Sequence, residues 1–102
     1  MTIAELIEDL SRPKPPWNAR FLKGFIGGAG PSCLFSLDAC LRTMKVNPKF
    51  KGTSVWLIDK VEEHYQVIVS NEETGIHGGG EHKIPSQAWT IALLDYLQQS
   101  YE

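Results

Sequence analysis

Two apolar runs joined by a short polar link, residues 53–59 (TSVWLID) and 65–70 (YQVIVS), constrain this chain most. Both are rich in the β-branched and aromatic residues that suit a pleated surface, and the link is too short for a crossover, so they predict an antiparallel hairpin. In the first run Val55 and Leu57 are apolar on one parity, and Trp56 and Ile58 on the other. This predicts a central strand covered on both faces.

Around the hairpin the periodicity is helical. Thr2-Ile3-Ala4-Glu5 has the spacing of a capping box, and Ile3, Leu6, Ile7 and Leu10 follow as one stripe, predicting a helix within 1–11. Pro13 stops it, and 12–17 (RPKPPW) reads as a stiff connector that Trp17 anchors. Residues 20–26 are expected to form a short strand with Phe21 and Phe25 on one face, although Gly24 weakens it. A glycine loop then leads to a helix expected over 31–45. The stretch 71–83, with four glycines, is expected to be a long loop, and Pro85 to open a last helix running to about residue 99. The expected architecture is a single α+β domain over 1–102, ordered α-β-α-β-β-α, with a small antiparallel sheet and helices packed on it.

Composition narrows the partners. With 102 residues, 42% hydrophobic and 22% charged, the chain has enough apolar material for one core. A net charge of −2 gives no broad basic field, so nucleic acid is not an expected partner. Lys45, Lys49 and Lys51 cluster, but Pro48 and Gly52 frame them as a solvated loop. Glu5, Glu8 and Asp9 interrupt the first apolar residues, and no apolar run approaches the ~20 residues of a membrane span. Two cysteines are too few for a disulfide framework, so a cytoplasmic location is expected.

Two glycine-rich stretches are the candidates for chemistry. In the first, Gly27, Gly28 and Gly30 precede Pro31, Ser32 and Cys33 at an expected helix start. A phosphate loop needs a lysine just before its helix, and a dinucleotide fingerprint needs a third glycine; neither is present. A small anion held by free amides remains open, through Gly27, Gly28, Gly30 and Ser32. Cys33 would be a nucleophile if its pKa were lowered there and His77 or His82 supplied a base. Helical spacing instead puts Cys33, Leu34, Leu37, Cys40, Leu41 and Met44 on one apolar stripe, with the two sulfurs ~10 Å apart, so both thiols are expected to be quiet core groups.

The second stretch runs from His77 through Gly78, Gly79 and Gly80 to Glu81 and His82. Such a tetrad of His and three Gly suits an esterase oxyanion hole, but that chemistry needs a G-x-S-x-G elbow, and the chain has none. His77, Glu81 and His82 do not complete a metal-ligand set, so no metal or other cofactor is expected. Glycines 78–80 are a second candidate for holding an anionic group such as a nucleotide phosphate. As a long loop, the stretch is also a candidate contact surface through His77, Glu81 and His82. The last helix has apolar residues beyond one face, with Ile91 and Leu94 the surplus. Together with Tyr101 and three tryptophans this favours surface recognition over catalysis. The leading expectation is thus a non-enzymatic binding protein with a protein partner, inhibitor- or adaptor-like, in which self-association is open. A binder of a small anionic ligand ranks second, and a Cys33-dependent enzyme third.

Overall fold

The computed structural model describes residues 1–100, and for 57–61 the backbone alone. Four α-helices, α1 (Ile3–Leu10), α2 (Leu22–Ile26), α3 (Leu37–Val46) and α4 (Pro85–Ser100), accompany three strands, β1 (Thr53–Val61), β2 (His64–Asn71) and β3 (His77–His82). The class is α+β, and the order is α-α-α-β-β-β-α. Among the described residues no helix is long and apolar enough to cross a membrane.

The N-terminal helix forms as its sequence dictates. The Thr2 hydroxyl accepts the Glu5 N–H at 3.1 Å and the Glu5 carboxylate accepts the Thr2 N–H at 2.9 Å, closing both halves of the capping box. The connector after it is pinned at several points. Asp9 accepts the Asn18 backbone N–H at 2.7 Å, and the half-buried Trp17 donates its indole N–H to the Arg12 carbonyl at 3.0 Å.

Residues 20–26 are not a strand. They form a 3-10 turn (Ala19–Phe21) that runs into α2. The deciding pair is Leu22 and Ile26, four residues apart and both fully buried, whereas Gly24 faces open space. Phe21 and Phe25 share that helical spacing, so a period of 3.6 wins over a period of 2. The helix expected over 31–45 is also two pieces. A 3-10 turn (Gly30–Leu34) ends at Phe35, and α3 starts afresh from Ser36, whose hydroxyl accepts the Ala39 N–H at 3.2 Å.

The sheet order is β1-β2-β3, antiparallel throughout, so β2 is central and β1 an edge. This corrects the expectation of a central first strand: Trp56 is 59% exposed, and the Leu57 and Ile58 side chains lie outside the described residues. Tyr101 also lies outside them. The two-residue turn between β1 and β2 holds Glu62 and Glu63 at φ of 50° and 70°, the backbone that a tight hairpin requires.

The largest correction concerns residues 71–83. Only the turn before Ile76 is irregular; His77–His82 pairs with Tyr65–Ser70 along its whole length. Glycine has poor strand propensity, and the reason for it here is tertiary. α4 lies directly across the strand: a Cβ at Gly78 would sit 2.6 Å from Tyr96 Cα, and one at Gly80 2.6 Å from the Ala92 N. No side chain fits at either position. The alternate glycines bring strand and helix into backbone contact.

That approach lets the sheet, α1 and the 3-10 turn at 30–34 surround α4. Ile91, Ala92, Leu93, Leu94 and Leu97 are buried with Leu6, Leu10, Leu34, Val67 and Val69 in one core. Each large aliphatic side chain contributes ~1.5–3 kcal/mol by leaving water.

Candidate functional site

Because α4 covers only one face of the sheet, the other face is open. Alternation along β2 sets the division: Val67, Val69 and Asn71 point into the core, and Gln66, Ile68 and Ser70 point away. Register carries the open face across the sheet. Trp56 of β1 lies opposite Ile68, and Ile68 opposite Gly79 of β3, so an exposed indole, a half-buried isoleucine and a glycine form one cross-strand row.

Gly79 carries no side chain, and a Cβ there would meet only Val67 O at 3.9 Å among the described residues, so it leaves a dip in that row. The resulting hollow has a volume of about 330 Å³ and is lined by Gln66, Ile68, Gly79, Gly80 and Glu81. Glu81 is the charged side chain among these five. At one end His64 Nδ1 lies 3.3 Å from Glu81 Oε1, which steadies the carboxylate at the rim. Around the edge of β3 a second hollow, about 370 Å³, is lined by Gly75, Ile76, His77, Asp95 and Gln99. Here the Gly79 N–H, which points away from β2, donates to Asp95 Oδ2 at 2.9 Å. Asp95 thus occupies a donor that an edge strand would otherwise offer to another chain.

The residues singled out from sequence disperse over this frame. His77, Gly79 and Glu81 stand on the open face, whereas Gly78 and His82 of the same strand point into the molecule. His82 is buried: its Nδ1 accepts the Ile84 N–H at 3.1 Å, so Nε2 carries the proton and donates to the Arg12 carbonyl at 2.9 Å. Trp17 meets its ring edge-on at 5.9 Å. His82 therefore clamps the connector and does not present itself to a partner. His77 and His82 face opposite sides, and no group of three or more His, Cys, Asp or Glu is placed to hold a metal ion among the described residues.

The surface expected through Ile91 and Leu94 does not exist, since both are core residues. Gly78 and Gly80 are spacers beneath α4, not amides facing a ligand. In the first glycine stretch the amides of Gly27, Ala29, Gly30 and Ser32 are already committed. Gly27 N–H donates to Lys23 O, Gly30 N–H to Gly27 O, Ala29 N–H to Thr43 Oγ1 and Ser32 N–H to Ala29 O. Gly27, Gly28 and Gly30 all have φ between 53° and 62°. Gly28 abuts Thr43, where a Cβ would lie 2.7 Å from its Cα. This loop joins α2 to the next turn by packing tightly on α3.

Cys33 and Cys40 are both buried. The break before Ser36 folds the 3-10 turn back on α3, so the expected ~10 Å separation along one helix does not apply. Cys40 Sγ lies 3.2 Å from the Cys33 carbonyl oxygen, and Cys33 Sγ lies 3.2 Å from Thr43 Oγ1. A hydrogen bond from the Cys40 thiol is the main cause that brings Cys33 down to about 7, against the opposing effect of burial. Cys40 is pushed up, by the same bond and by burial. The groups that bond Cys33 are a threonine and a thiol; no histidine is hydrogen-bonded to it, and its sulfur is enclosed. A lowered pKa without access or a base is a property of packing.

Sequence reasoning did not single out Trp56, Ile68, Gln66 or Asp95. The alternation of β2 is the signal that would have placed Gln66 and Ile68 on one face. Trp56 was hidden because both parities of its strand are apolar. Comparison with protein-family models, with curated proteins and with solved structures finds no match to this chain.

Proposed function

We propose that this is a small non-enzymatic binding protein, inhibitor- or adaptor-like, that receives a protein partner on the open face of its sheet. The observation that carries the reading is Trp56, which is 59% exposed on the edge strand of the uncovered sheet face. A large aromatic in water is unfavourable for a chain that only has to fold, and tryptophan is enriched where interfaces bind most strongly. Beside it the hollow over Gly79 accepts an apolar side chain against Ile68, and Glu81 at the rim favours a cationic neighbour on that side chain. The sheet supplies a rigid platform, so little ordering free energy is spent on contact.

The test compares baits. Wild-type protein, Trp56→Lys and Gly79→Asn are immobilised and exposed to an extract of the native host, with Ser32→Lys as a distant surface control. The reading requires a protein retained by the wild type and the control and lost by both sheet-face variants. All baits must share one circular dichroism spectrum. Equal retention by Trp56→Lys would reject the sheet face as the binding surface. The anionic-ligand reading draws no comparable support, because three of the four amides it needs in the first glycine stretch, those of Gly27, Gly30 and Ser32, are engaged within the fold.

A further inference from the structure

We propose that a second copy of this chain docks on the exposed flank of α3, forming a two-fold symmetric, antiparallel helix pair. Ala39, Cys40 and Thr43 turn that helix's buried side to the core. Leu37 and Leu41, one turn apart, are 43% and 42% exposed, and Phe35 just before the helix is 72% exposed. Their line continues to half-buried Met44, whose sulfur accepts the Trp89 indole N–H at 3.3 Å. The result is an apolar seam that Trp89 meets at its Met44 end and that is otherwise exposed among the described residues.

Charge identifies the occupant. Asp38 in the first turn and Lys45 in the last are seven residues apart, so they lie on the same flank of the seam, within ~20° of each other around the axis. Neither forms an ion pair within the chain among the described residues. A two-fold axis through Leu41 runs the two helices antiparallel and places each flank alongside its own copy. Asp38 of one protomer then faces Lys45 of the partner, and the arrangement repeats by symmetry, while Leu41 meets Leu41 at the axis. A parallel two-fold pairing would instead set this flank against the opposite flank of the partner, and neither ion pair would form. The antiparallel one also sets each helix start against a helix end, which the macrodipoles favour. The seam is short, so the dimer is a weak one whose population depends on concentration.

Sedimentation velocity of the full chain over a concentration series tests this. The wild type is expected to shift from monomer to dimer mass as concentration rises, and Leu41→Lys to remain a monomer. Asp38→Lys and Lys45→Asp should each raise the dimer dissociation constant about tenfold, because each lost pair occurs twice and becomes a repulsion. The combined Asp38→Lys, Lys45→Asp exchange should restore wild-type association. Circular dichroism verifies that each variant is folded. A wild type that stays monomeric at every concentration overturns the proposal. So does a dimer that persists in Leu41→Lys, or single reversals whose effect the exchange does not repair.

Discussion

α4 carries apolar side chains around most of its circumference, yet Ile91, Leu93, Leu94 and Leu97 are all buried; α3 has one clear apolar stripe, yet Leu37 and Leu41 stand in water. Each helix inverts what its own periodicity suggests. The cause lies in the neighbours. α4 is enclosed because Gly78 and Gly80 remove every Cβ between it and β3, and because α1 and the turn at 30–34 close in on it. α3 has the turn at 30–34 on one side and α4 on another, while Leu37 and Leu41 on its remaining flank stay exposed. A stripe on a helix states that burial is possible; which part is buried depends on what the rest of the chain brings up to it.

The sharpest way to break this contrast is to push α4 off the sheet. Gly80→Val places side-chain atoms inside the backbone of Ala88 and Ala92, and Gly78→Val does the same at Tyr96. Neither backbone can yield locally, so each variant is expected to lose on the order of 3 kcal/mol or more, or to fail to fold. Gly79→Val, between them but on the open face, meets only Val67 O at 3.9 Å and gains strand propensity. Urea unfolding of the three variants should separate the pair from the middle position. Comparable losses at all three would mean that helix contact does not explain the glycines.

Next in size is the core side of α4. Leu94 is fully buried, so Leu94→Ala should cost roughly 2–5 kcal/mol in the same measurement, as lost transfer free energy plus a cavity. A loss below about 1 kcal/mol would show that α4 is not enclosed as described.

The junction of the two helices gives a pH-dependent prediction. Cys40 of α3 reaches the Ser86 carbonyl of α4 at 3.5 Å and also bonds to Cys33. Cys33 is lowered from the ordinary thiol value of 9.0 to about 7, chiefly by the Cys40 hydrogen bond. Between pH 7 and 9 the unfolded chain therefore holds a proton that the folded chain has released, and stability should rise with pH in that window. Cys40 is raised, so above pH 9 the folded chain retains a proton that the unfolded chain loses, and stability should fall again. Cys40→Ala removes the bond that lowers Cys33, and with it the rise between pH 7 and 9. Thermal melts at half-unit pH intervals measure both profiles, and identical profiles would exclude the thiol pair as the cause.

These contrasts also mark what could be read in advance. The capping box, the hairpin register set by 53–59 and 65–70, and the start of α4 at Pro85 are local, and each residue needed lies within a few positions of its partner. The Ser36 cap that splits the expected helix was equally local, a serine before Leu37 and Asp38, but the continuous apolar spacing across it masked the stop. β3 was out of reach for a different reason. Three glycines carry no strand preference, and the purpose of Gly78 and Gly80 is written in Ala88, Ala92 and Tyr96, some 8–18 residues further along the chain. The open sheet face, with Trp56 along its margin, depended on knowing that β1 is an edge. Strand order is a property of the assembled sheet and not of any one strand.

The smallest expected effect is the one that completes the comparison. Leu41→Lys on α3 changes a leucine to a charge, as Leu94→Lys would on α4, yet its effect on monomer stability should stay within about 0.5 kcal/mol. Leu41 is already 42% exposed, so the lysine stem can lie where the leucine lay while its ammonium remains in water. Helix propensity barely changes between the two residues, and position 41 is mid-helix, where the macrodipole has little effect on an added charge. The comparison is made by urea unfolding at a concentration low enough to keep the protein monomeric, so that loss of self-association does not register as loss of stability. A large drop would mean that Leu41 contributes to the core after all, and that α3 and α4 differ in degree alone. A negligible change would leave Leu41 as a side chain that folding does not need, on a helix whose Ala39, Cys40 and Thr43 are enclosed.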